Sequence, residues 1–221
     1  MKSQIPNPKS QILYEDDSLL VLDKPAGVNA DDIPRRAHRL DKDTSGILLA
    51  AKDDKTLEFL QKQFKQREVK KKYLALVVGN LKNREGIIET LIGRSPKDKR
   101  KQKVYLLHEP NSQGKRKAVT KYKVLQKFEN YDLVEVEPET GRKHQIRCHF
   151  VHLGHPIAGD KMYGFKNQPC PEGLSRQFLH AGYIKIKLPN GEIKEFKSEL
   201  PEELKRVLSK LNSKHQAPNS K

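Results

Sequence analysis

The stretch HRLDKDTSG, residues 38–46, is followed at once by the apolar run ILLAA. A short continuous apolar run beside a turn is typical of a strand that is covered on both faces. We therefore predict a buried strand over GILLAAK, residues 46–52, with a charged loop in front of it. Because a rigid strand fixes the side chains that precede it, Asp41 in this loop is a candidate functional carboxylate.

The local sequence leaves two interpretations of Asp41 open. Charged turns far outnumber active sites, so a salt-bridged turn without chemistry is the simpler interpretation. In a functional site, the neighbouring His38 and Arg39 would favour the ionised carboxylate. The polar residues that follow are expected to close the turn through side-chain bonds to backbone amides: Asp43, Thr44 and Ser45.

Apolar patterning along the rest of the chain predicts an α+β fold with a mostly antiparallel sheet, since strands outnumber helices and short turns join most of them. The segment 94–117 is charged and interrupted by Pro and Gly, which predicts a mobile basic loop. Strands are expected within residues 12–27, 72–79, 87–93, 118–139 and 183–196, and helices within residues 53–66, 144–154 and 200–211.

The chain length of 221 residues fits a single domain, which we expect over residues 12–211. Residues 1–11 are expected to form an N-terminal extension and residues 212–221 a disordered tail. No apolar run approaches the ~20 residues that cross a bilayer, and the start of the chain lacks the apolar centre of a secretion signal. Only two cysteines occur, which favours a reducing cytoplasm.

The charge balance points to a polyanionic partner. Forty-four Lys and Arg against twenty-eight Asp and Glu leave a net charge of +16. A surplus of this size attracts nucleic acid, and the cations are clustered within residues 65–73, 93–103 and 114–123. Trp is absent and aromatic residues make up only 6% of the chain, so a basic cleft for structured RNA or DNA fits better than a stacking platform for single strands.

The second dense stretch, residues 138–164, contains a cysteine and several histidines, which raises the possibility of a metal site: His144, Cys148, His149, His152 and His155. No C-x-x-C or H-E-x-x-H pattern occurs, and the neighbouring cations would repel a metal ion, so no metal is expected. We favour a basic turn where Arg142 and Lys143 face phosphate. Arg147, one turn inside the helix, needs a carboxylate partner, for which Asp41 is the candidate.

These stretches together resemble the pseudouridine synthases of the RluA type, with the motifs in the family's order from Ile12 to near Leu211. The similar segments are ILYEDDSLLVLDKPAG, HRLDKDTSGILLAAK, KKYLALVVG, TGRKHQIRCHFVHLGHPIAGDKMYG and FLHAGYIKIKLPNGE. Several long motifs in order are far more specific than any one of them. The resemblance therefore favours a functional role for Asp41.

The resemblance implies an enzyme that isomerises uridine to pseudouridine in rRNA or tRNA. Asp41 matches the essential catalytic aspartate, Tyr73 the tyrosine that packs on the target base, and Arg147 the arginine that pairs with the aspartate. By itself, Tyr73 at the start of an apolar strand would more simply be a core residue. Arg39 is expected to enter the space that the flipped base leaves.

The family resemblance also implies a mixed, mostly antiparallel sheet flanked by helices, with a central basic cleft. No metal or nucleotide cofactor and no membrane partner is expected, and we expect a monomer. The candidate RNA contacts are cationic or imidazole side chains: His38, Arg39, Lys70, Lys71, Lys72, Arg94, Arg142, Lys143 and His144. The short segment 28–37 between two motifs, and the lack of room before Ile12 for a separate S4 domain, leave the identity of the RNA open.

Two alternative functions remain. A non-catalytic protein that binds structured RNA would use the same basic cleft. A glycosidase would need two carboxylates, Asp41 and Asp43, but Asp43 in a turn would point elsewhere, and the +16 charge serves no small neutral substrate. For the synthase, three routes stay open: attack at C1′, attack at C6 and removal of the C2′ proton.

Overall fold

The computed structural model describes residues 10–109 and 111–216, with side chains to residue 213. Two compact units are present: the described part of Met1–Lys72 with His180–Leu200, and Tyr73–Leu179 with the described part of Pro201–Lys221. The described strands are β1 (Gln11–Glu15), β2 (Leu19–Lys24), β3 (Ser45–Ala51), β4 (Lys70–Val78), β5 (Glu85–Arg94), β6 (Gln102–Tyr105), β7 (Arg116–Lys127), β8 (Tyr131–Pro138), β9 (Leu179–Lys187) and β10 (Ile193–Lys197). The α-helices are α1 (Asp54–Gln66), α2 (Gln145–His152) and α3 (Glu202–Gln216).

The first unit is a sheet with strand order β1-β2-β3-β9, and β10 pairs with β9. The pairing of β3 with β9 is parallel, and the other pairings of this sheet are antiparallel. All seven residues of β3 are buried, which confirms the predicted strand covered on both faces. Helix α1 lies within the predicted range 53–66. Asp53 caps its start by accepting a hydrogen bond from the Thr56 amide at 2.8 Å, and Leu60 of the helix is fully buried in the core.

A close backbone contact joins β3 to β9. Gly46 has a φ of +116°, and a Cβ atom there would lie 2.3 Å from the carbonyl oxygen of Ala181. Beside it, the buried His180 ring lies 3.0 Å from the Ser45 hydroxyl through Nδ1 and 3.1 Å from the Ser198 carbonyl through Nε2. Because a carbonyl only accepts, Nε2 carries the hydrogen and the Ser45 hydroxyl donates to Nδ1. This contact fixes the start of β3.

The second unit is an antiparallel sheet with strand order β4-β8-β7-β5-β6. Helix α2 covers it by burying Ile146 and Phe150 in the same core as Val134 and Val136. With the parallel pair of the first unit, the pairings are mixed and mostly antiparallel, and the predicted α+β class is confirmed. Within residues 10–109 and 111–216, no helix is both long and apolar enough to span a bilayer.

The expectation of a mobile loop over residues 94–117 is wrong for β6, which pairs with β5. Tyr105 is buried, and its hydroxyl donates to the Arg94 carbonyl at 3.0 Å. The ammonium groups of Lys103 and Lys115 lie 5.0 and 5.1 Å from its ring centroid. The buried Tyr105 ring anchors the charged segment to the sheet. The two lysines pack against this ring, so their charges do not prevent the strand from forming.

The chain ends depart from expectation by a few residues. Strand β1 begins at Gln11, inside the expected extension 1–11, and α3 continues to Gln216, beyond the expected helix end at residue 211. The Gln126 amide donates to the side-chain oxygen of Asn212 at 2.6 Å, which ties the added turn to β7. The expected disorder is therefore wrong for residues 212–216, whereas residues 1–9 and 217–221 lie outside the described residues.

One buried histidine of α2 makes stability depend on pH. His149 is fully buried, with Nε2 3.0 Å from the Thr90 hydroxyl and no hydrogen-bond partner at Nδ1. Burial, with a smaller contribution from His152, lowers the pKa of His149 from 6.5 to about 4. The unfolded chain therefore takes up a proton at a higher pH than the folded one, and stability is lost as the pH falls through this range.

For His149→Gln, which can still bond to Thr90, we expect the free energy of unfolding to decrease less than in the wild type between pH 6.5 and about 4. Urea titrations across this range measure the difference. His108→Gln, a change at an exposed histidine, serves as the control and should follow the wild type. If the free energy of unfolding changes equally with pH in His149→Gln and in the wild type, His149 is not the source of this pH dependence.

For Gly46→Ala, we expect a loss of more than about 3 kcal/mol of stability, because the new Cβ meets backbone atoms and the positive φ disfavours alanine. Gly182→Ala in β9 is the matched control, since its nearest atom lies at 3.5 Å, an ordinary contact distance, and its change should stay within about 1 kcal/mol. Thermal melting measures both changes. Equal melting temperatures for the two variants would disprove the close contact.

Candidate active site

The predicted site residues divide between the two units. The first unit contains those of the charged loop and the lysine run: His38, Arg39, Asp41, Lys70, Lys71 and Lys72. The second unit contains those of β4, β5 and the α2 region: Tyr73, Arg94, Arg142, Lys143, His144 and Arg147.

The loop that carries Asp41 is held by a buried ammonium group. Lys24, at the end of β2, is fully buried, and its Nζ donates to the carbonyls of Pro25, Val28 and Lys42 at 2.9, 3.0 and 3.0 Å. Three carbonyl acceptors match the three N–H donors of an ammonium group. The Pro-Ala-Gly turn and the residue after Asp41 are thereby tied to the same atom.

The backbone around Asp41 has two further hydrogen bonds. The Gly27 amide donates to the Lys42 carbonyl at 3.0 Å, and the Thr44 amide donates to the Asp41 carbonyl at 3.0 Å. Asp41 itself is half-buried, and the exposed Lys42 and Asp43 separate it from the buried Thr44 and Ser45. The carboxylate therefore stands on a fixed backbone, as predicted from the strand that follows it.

His38 fastens the charged loop to β3. Its Nε2 accepts a hydrogen bond from the Leu49 amide at 3.2 Å, and its ring stacks on Phe64 at a centroid distance of 4.7 Å. Burial, and then the charge of Lys71, lower the pKa of His38 to about 3, so the imidazole is neutral at pH 7. The expectation that His38 adds positive charge beside Asp41 is wrong, because its ring nitrogen is needed as an acceptor that fastens the loop to β3.

The cations of the first unit differ in exposure. The Arg39 side chain is 51% exposed and lies 4.0 Å from the carboxylate of Asp31. Lys70 is exposed, whereas the ammonium group of Lys71 lies 5.8 Å from the Phe64 ring centroid, and burial lowers the pKa of Lys71 to about 8. His38 and Lys71 are thus brought together on one aromatic ring, although they come from separate motifs.

The turn before α2 is folded by one buried amide, that of Gln145. Its nitrogen donates to the Val119 carbonyl and the Thr120 hydroxyl of β7 at 3.0 and 2.8 Å, and its oxygen accepts from the Arg142 amide at 3.0 Å. His144 stands before the helix with a φ of +55°, and Lys143 is exposed. The Arg142 guanidinium donates through Nε to the Lys117 carbonyl at 2.9 Å.

Arg147 is held by two residues for which no role was predicted. Its Nε and Nη2 donate to the two carboxylate oxygens of Asp160 at 2.6 and 2.8 Å, and both side chains are almost fully buried. The ring of Tyr163 lies below the guanidinium, with its centroid 4.9 Å from Cζ. Both residues belong to GDKMYG, residues 159–164. A buried arginine needs a carboxylate partner, and Asp160 is the first carboxylate that follows Arg147 in the sequence.

Tyr73 begins the part of β4 that belongs to the second unit. It is half-buried, pairs in register with Val136 of β8 and packs against the core of this unit. Arg94 is exposed at the end of β5. The structure thus places Tyr73 at the edge of the core, as the simpler interpretation of its sequence position expected, with part of its surface open.

The histidines around α2 bond to protein atoms. His144 Nδ1 lies 2.8 Å from the Tyr163 hydroxyl, and His155 Nδ1 donates to the Val78 carbonyl at 2.9 Å. Among the described side chains, residues 10–109 and 111–213, no group of three or more His, Cys, Asp or Glu side chains is arranged to hold a metal ion.

For Lys24→Met, we expect a loss of about 3 kcal/mol in the free energy of unfolding, because three buried carbonyls lose their donor. Urea unfolding measures the loss. Lys42→Met is the matched control, since it leaves the backbone carbonyl in place at an exposed side chain and should stay within about 0.5 kcal/mol. If both variants are equally stable, Lys24 does not hold the loop.

The chain matches the model of the RNA pseudouridylate synthase family over residues 25–152. This region is more than half of the chain, and it includes the Lys24-bound turn, the Asp41 loop, Tyr73 and Arg147.

Curated proteins similar to the chain include a ribosomal large subunit pseudouridine synthase D of Nitrosomonas europaea, 37% identical over 92% of this chain and 65% of the relative. An uncharacterized RNA pseudouridine synthase of Chloroflexus aurantiacus is 42% identical over 82% of this chain and 54% of the relative. A ribosomal large subunit pseudouridine synthase C of Vibrio parahaemolyticus is 38% identical over 89% of this chain and 68% of the relative. The chain therefore spans between about half and two thirds of the length of these three relatives.

Among solved structures, Human RNA Pseudouridylate Synthase Domain Containing 1 is similar, with a TM-score of 0.76 and 28% identity over 91% of this chain and 86% of that one. Human RNA Pseudouridylate Synthase Domain Containing 4 gives a TM-score of 0.75 at 26% identity. Motif order, fold and sequence identity lead to one conclusion: the chain belongs to the RNA pseudouridylate synthase family.

Proposed function

We propose that the protein isomerises uridine to pseudouridine within RNA and that Asp41 is the catalytic carboxylate. The observation that carries the proposal is the fixed backbone of Asp41, between the Lys24 ammonium and the buried strand β3, in a chain of this family. A turn that served only as a charged surface loop would not need a fully buried lysine to hold it.

The reaction breaks the N1–C1′ bond of uridine, rotates the uracil and joins C5 to C1′. A proton leaves C5 and a proton is taken up at N1, so the product is an isomer of uridine. Breaking the glycosidic bond leaves positive charge on the ribose, and an ionised carboxylate close to C1′ stabilises that charge. The same carboxylate can act as a nucleophile at C1′ or C6, or can take the C2′ proton. Nothing is oxidised or hydrolysed overall, so the proposed chemistry needs no metal and no nucleotide cofactor.

Arg147 is proposed as the cation that orients Asp41, and Tyr73 as the aromatic residue that packs on the target uracil. The target base is stacked in RNA, and extruding it costs a few kcal/mol. Arg39, with half of its side chain exposed, is proposed to fill the space that the base leaves. Contacts between the exposed cations and phosphate offset part of the cost: Lys70, Arg94 and Lys143.

The proposed substrate is ribosomal RNA, because two of the similar curated proteins are named for the ribosomal large subunit. The net charge of +16 supports recognition through the RNA backbone, with uracil recognised in the site. We further propose that the protein acts in the cytoplasm and as a monomer. Transfer RNA is the other substrate class that the test includes.

The test uses rRNA and tRNA transcripts that carry tritium at C5 of uracil, because joining C5 to C1′ releases this label to water. We expect Asp41→Asn to release tritium at least about 10²–10³ times more slowly than the wild type, since the charge that stabilises the ribose is lost. Filter binding should give an RNA affinity within about threefold of the wild type, because the phosphate contacts are unchanged.

Asp43→Asn is the control: it removes a neighbouring exposed carboxylate, and its rate should match the wild type. Asp41→Asn with the wild-type rate of tritium release contradicts the role of Asp41. A wild-type protein that binds RNA without releasing label contradicts the enzyme and supports a non-catalytic RNA-binding protein. Release of free uracil instead would identify a glycosidase.

A further inference from the structure

The guanidinium of Arg147 is fixed on two sides by residues of one short segment. The carboxylate of Asp160 accepts two parallel hydrogen bonds from it, and the Tyr163 ring lies 4.9 Å from Cζ. The forked pair fixes the plane of the guanidinium, and the ring limits movement out of that plane. We call Asp160 and Tyr163 the arginine clamp.

The clamp is itself held in place. Asp160 Oδ1 also accepts hydrogen bonds from the amides of Met162 and Tyr163 at 2.9 and 3.0 Å. These two hydrogen bonds fix the orientation of the carboxylate independently of its pair with Arg147. A carboxylate with a fixed orientation sets the position of the arginine. A flexible carboxylate would instead move together with the arginine.

The hydroxyl of Tyr163 fixes the position of its ring. It accepts a hydrogen bond from the Gln102 amide of β6 at 2.7 Å and lies 2.8 Å from His144 Nδ1, before the first turn of α2. Burial raises the pKa of Tyr163, so the phenol stays neutral and keeps its hydrogen. The ring below Arg147 is thus tied both to the neighbouring strand and to the start of the helix that carries Arg147.

Stability alone explains this arrangement poorly. A buried ion pair costs desolvation energy that apolar residues of similar volume would avoid, so it adds little net stability. The two parallel hydrogen bonds and the ring do fix the orientation of the guanidinium. A fixed orientation matters when a cation must act on a reacting group.

We infer that Asp160 and Tyr163 are positioning residues, which hold the Arg147 guanidinium in the orientation that the isomerisation requires. The inference rests on the proposed function, since it assigns a purpose to the orientation of Arg147. Neither clamp residue needs to touch RNA, because both are buried in the second unit.

The test is a single-turnover assay of tritium release, with enzyme in saturating excess over RNA labelled at C5 of uracil. As long as folded enzyme stays in saturating excess, the rate constant does not depend on the fraction of enzyme that is folded, and it therefore reports positioning. We expect Asp160→Asn and Tyr163→Leu to lower the rate constant about ten- to a hundredfold. Their RNA affinity should stay within about threefold of the wild type.

Tyr163→Phe is the conservative variant, since it keeps the ring below the guanidinium and loses the hydroxyl. It should regain most of the rate that Tyr163→Leu loses. Phe150→Leu is the folding control: it weakens the packing of the same helix in a core that does not include Arg147. It should lower the melting temperature and leave the rate constant unchanged.

The possible outcomes separate the two proposals. Release that depends on Asp41, with wild-type rate constants in Asp160→Asn and Tyr163→Leu, overturns the clamp and keeps the proposed function. A rate constant for Phe150→Leu as low as that for Tyr163→Leu also overturns the clamp, because loosened packing then explains the loss. Absence of release from the wild type overturns both proposals.

Discussion

The arrangement of the Asp41 loop depends on the hydrogen bonds that the buried Lys24 ammonium group donates. Burying a lysine costs free energy, and the cost is offset only when all of its donors find acceptors. Here three backbone carbonyls accept, one of them from Lys42 in the Asp41 loop and two from the segment after β2. Two motifs that are separate in the sequence therefore form one local structure, and Asp41 gains its fixed backbone from it.

A second buried cation, Arg147, is held by different chemistry. Lys24 binds neutral carbonyls and is enclosed, whereas Arg147 binds a carboxylate and stacks on a ring. An ammonium group suits a cluster of carbonyls, and a planar guanidinium suits a carboxylate and an aromatic face. Exchanging the two residue types would leave each site with donors that do not match its acceptors.

Much of the fold could be predicted because the sequence carries local signals. The apolar run of β3, the Asp53 cap of α1 and the Asn-Gly turn before β10 each specify their own element. Strand β6 could not be predicted from its charged sequence, since its support is the buried ring of Tyr105 and its pairing with β5.

The candidate site was predictable in its residues and less so in their contacts. Local patterning made Asp41 and Arg147 candidates, and motif resemblance gave the catalytic roles of Asp41, Tyr73 and Arg147, which stay predictions. Asp160 could have been named as the nearest carboxylate after a buried arginine, but its two-bond pairing with Arg147 depends on how the chain turns back after α2. Burial and the charge of Lys71, which act on His38 only in the folded chain, lower the pKa of His38 and keep its ring neutral. Sequence identifies residue types, whereas protonation and pairing arise from tertiary contacts.

The parallel contact of β3 with β9 has a consequence for biosynthesis. The ribosome makes β3 early, and the whole of Tyr73–Leu179 follows before His180 and Ala181 emerge. Until then, the nascent strand lacks the neighbour that meets it at Ser45 and Gly46. Contacts between distant segments form late and slow the folding of a chain. The first unit, although it contains the N-terminal strands, is therefore completed only after the second unit has been translated through Leu179.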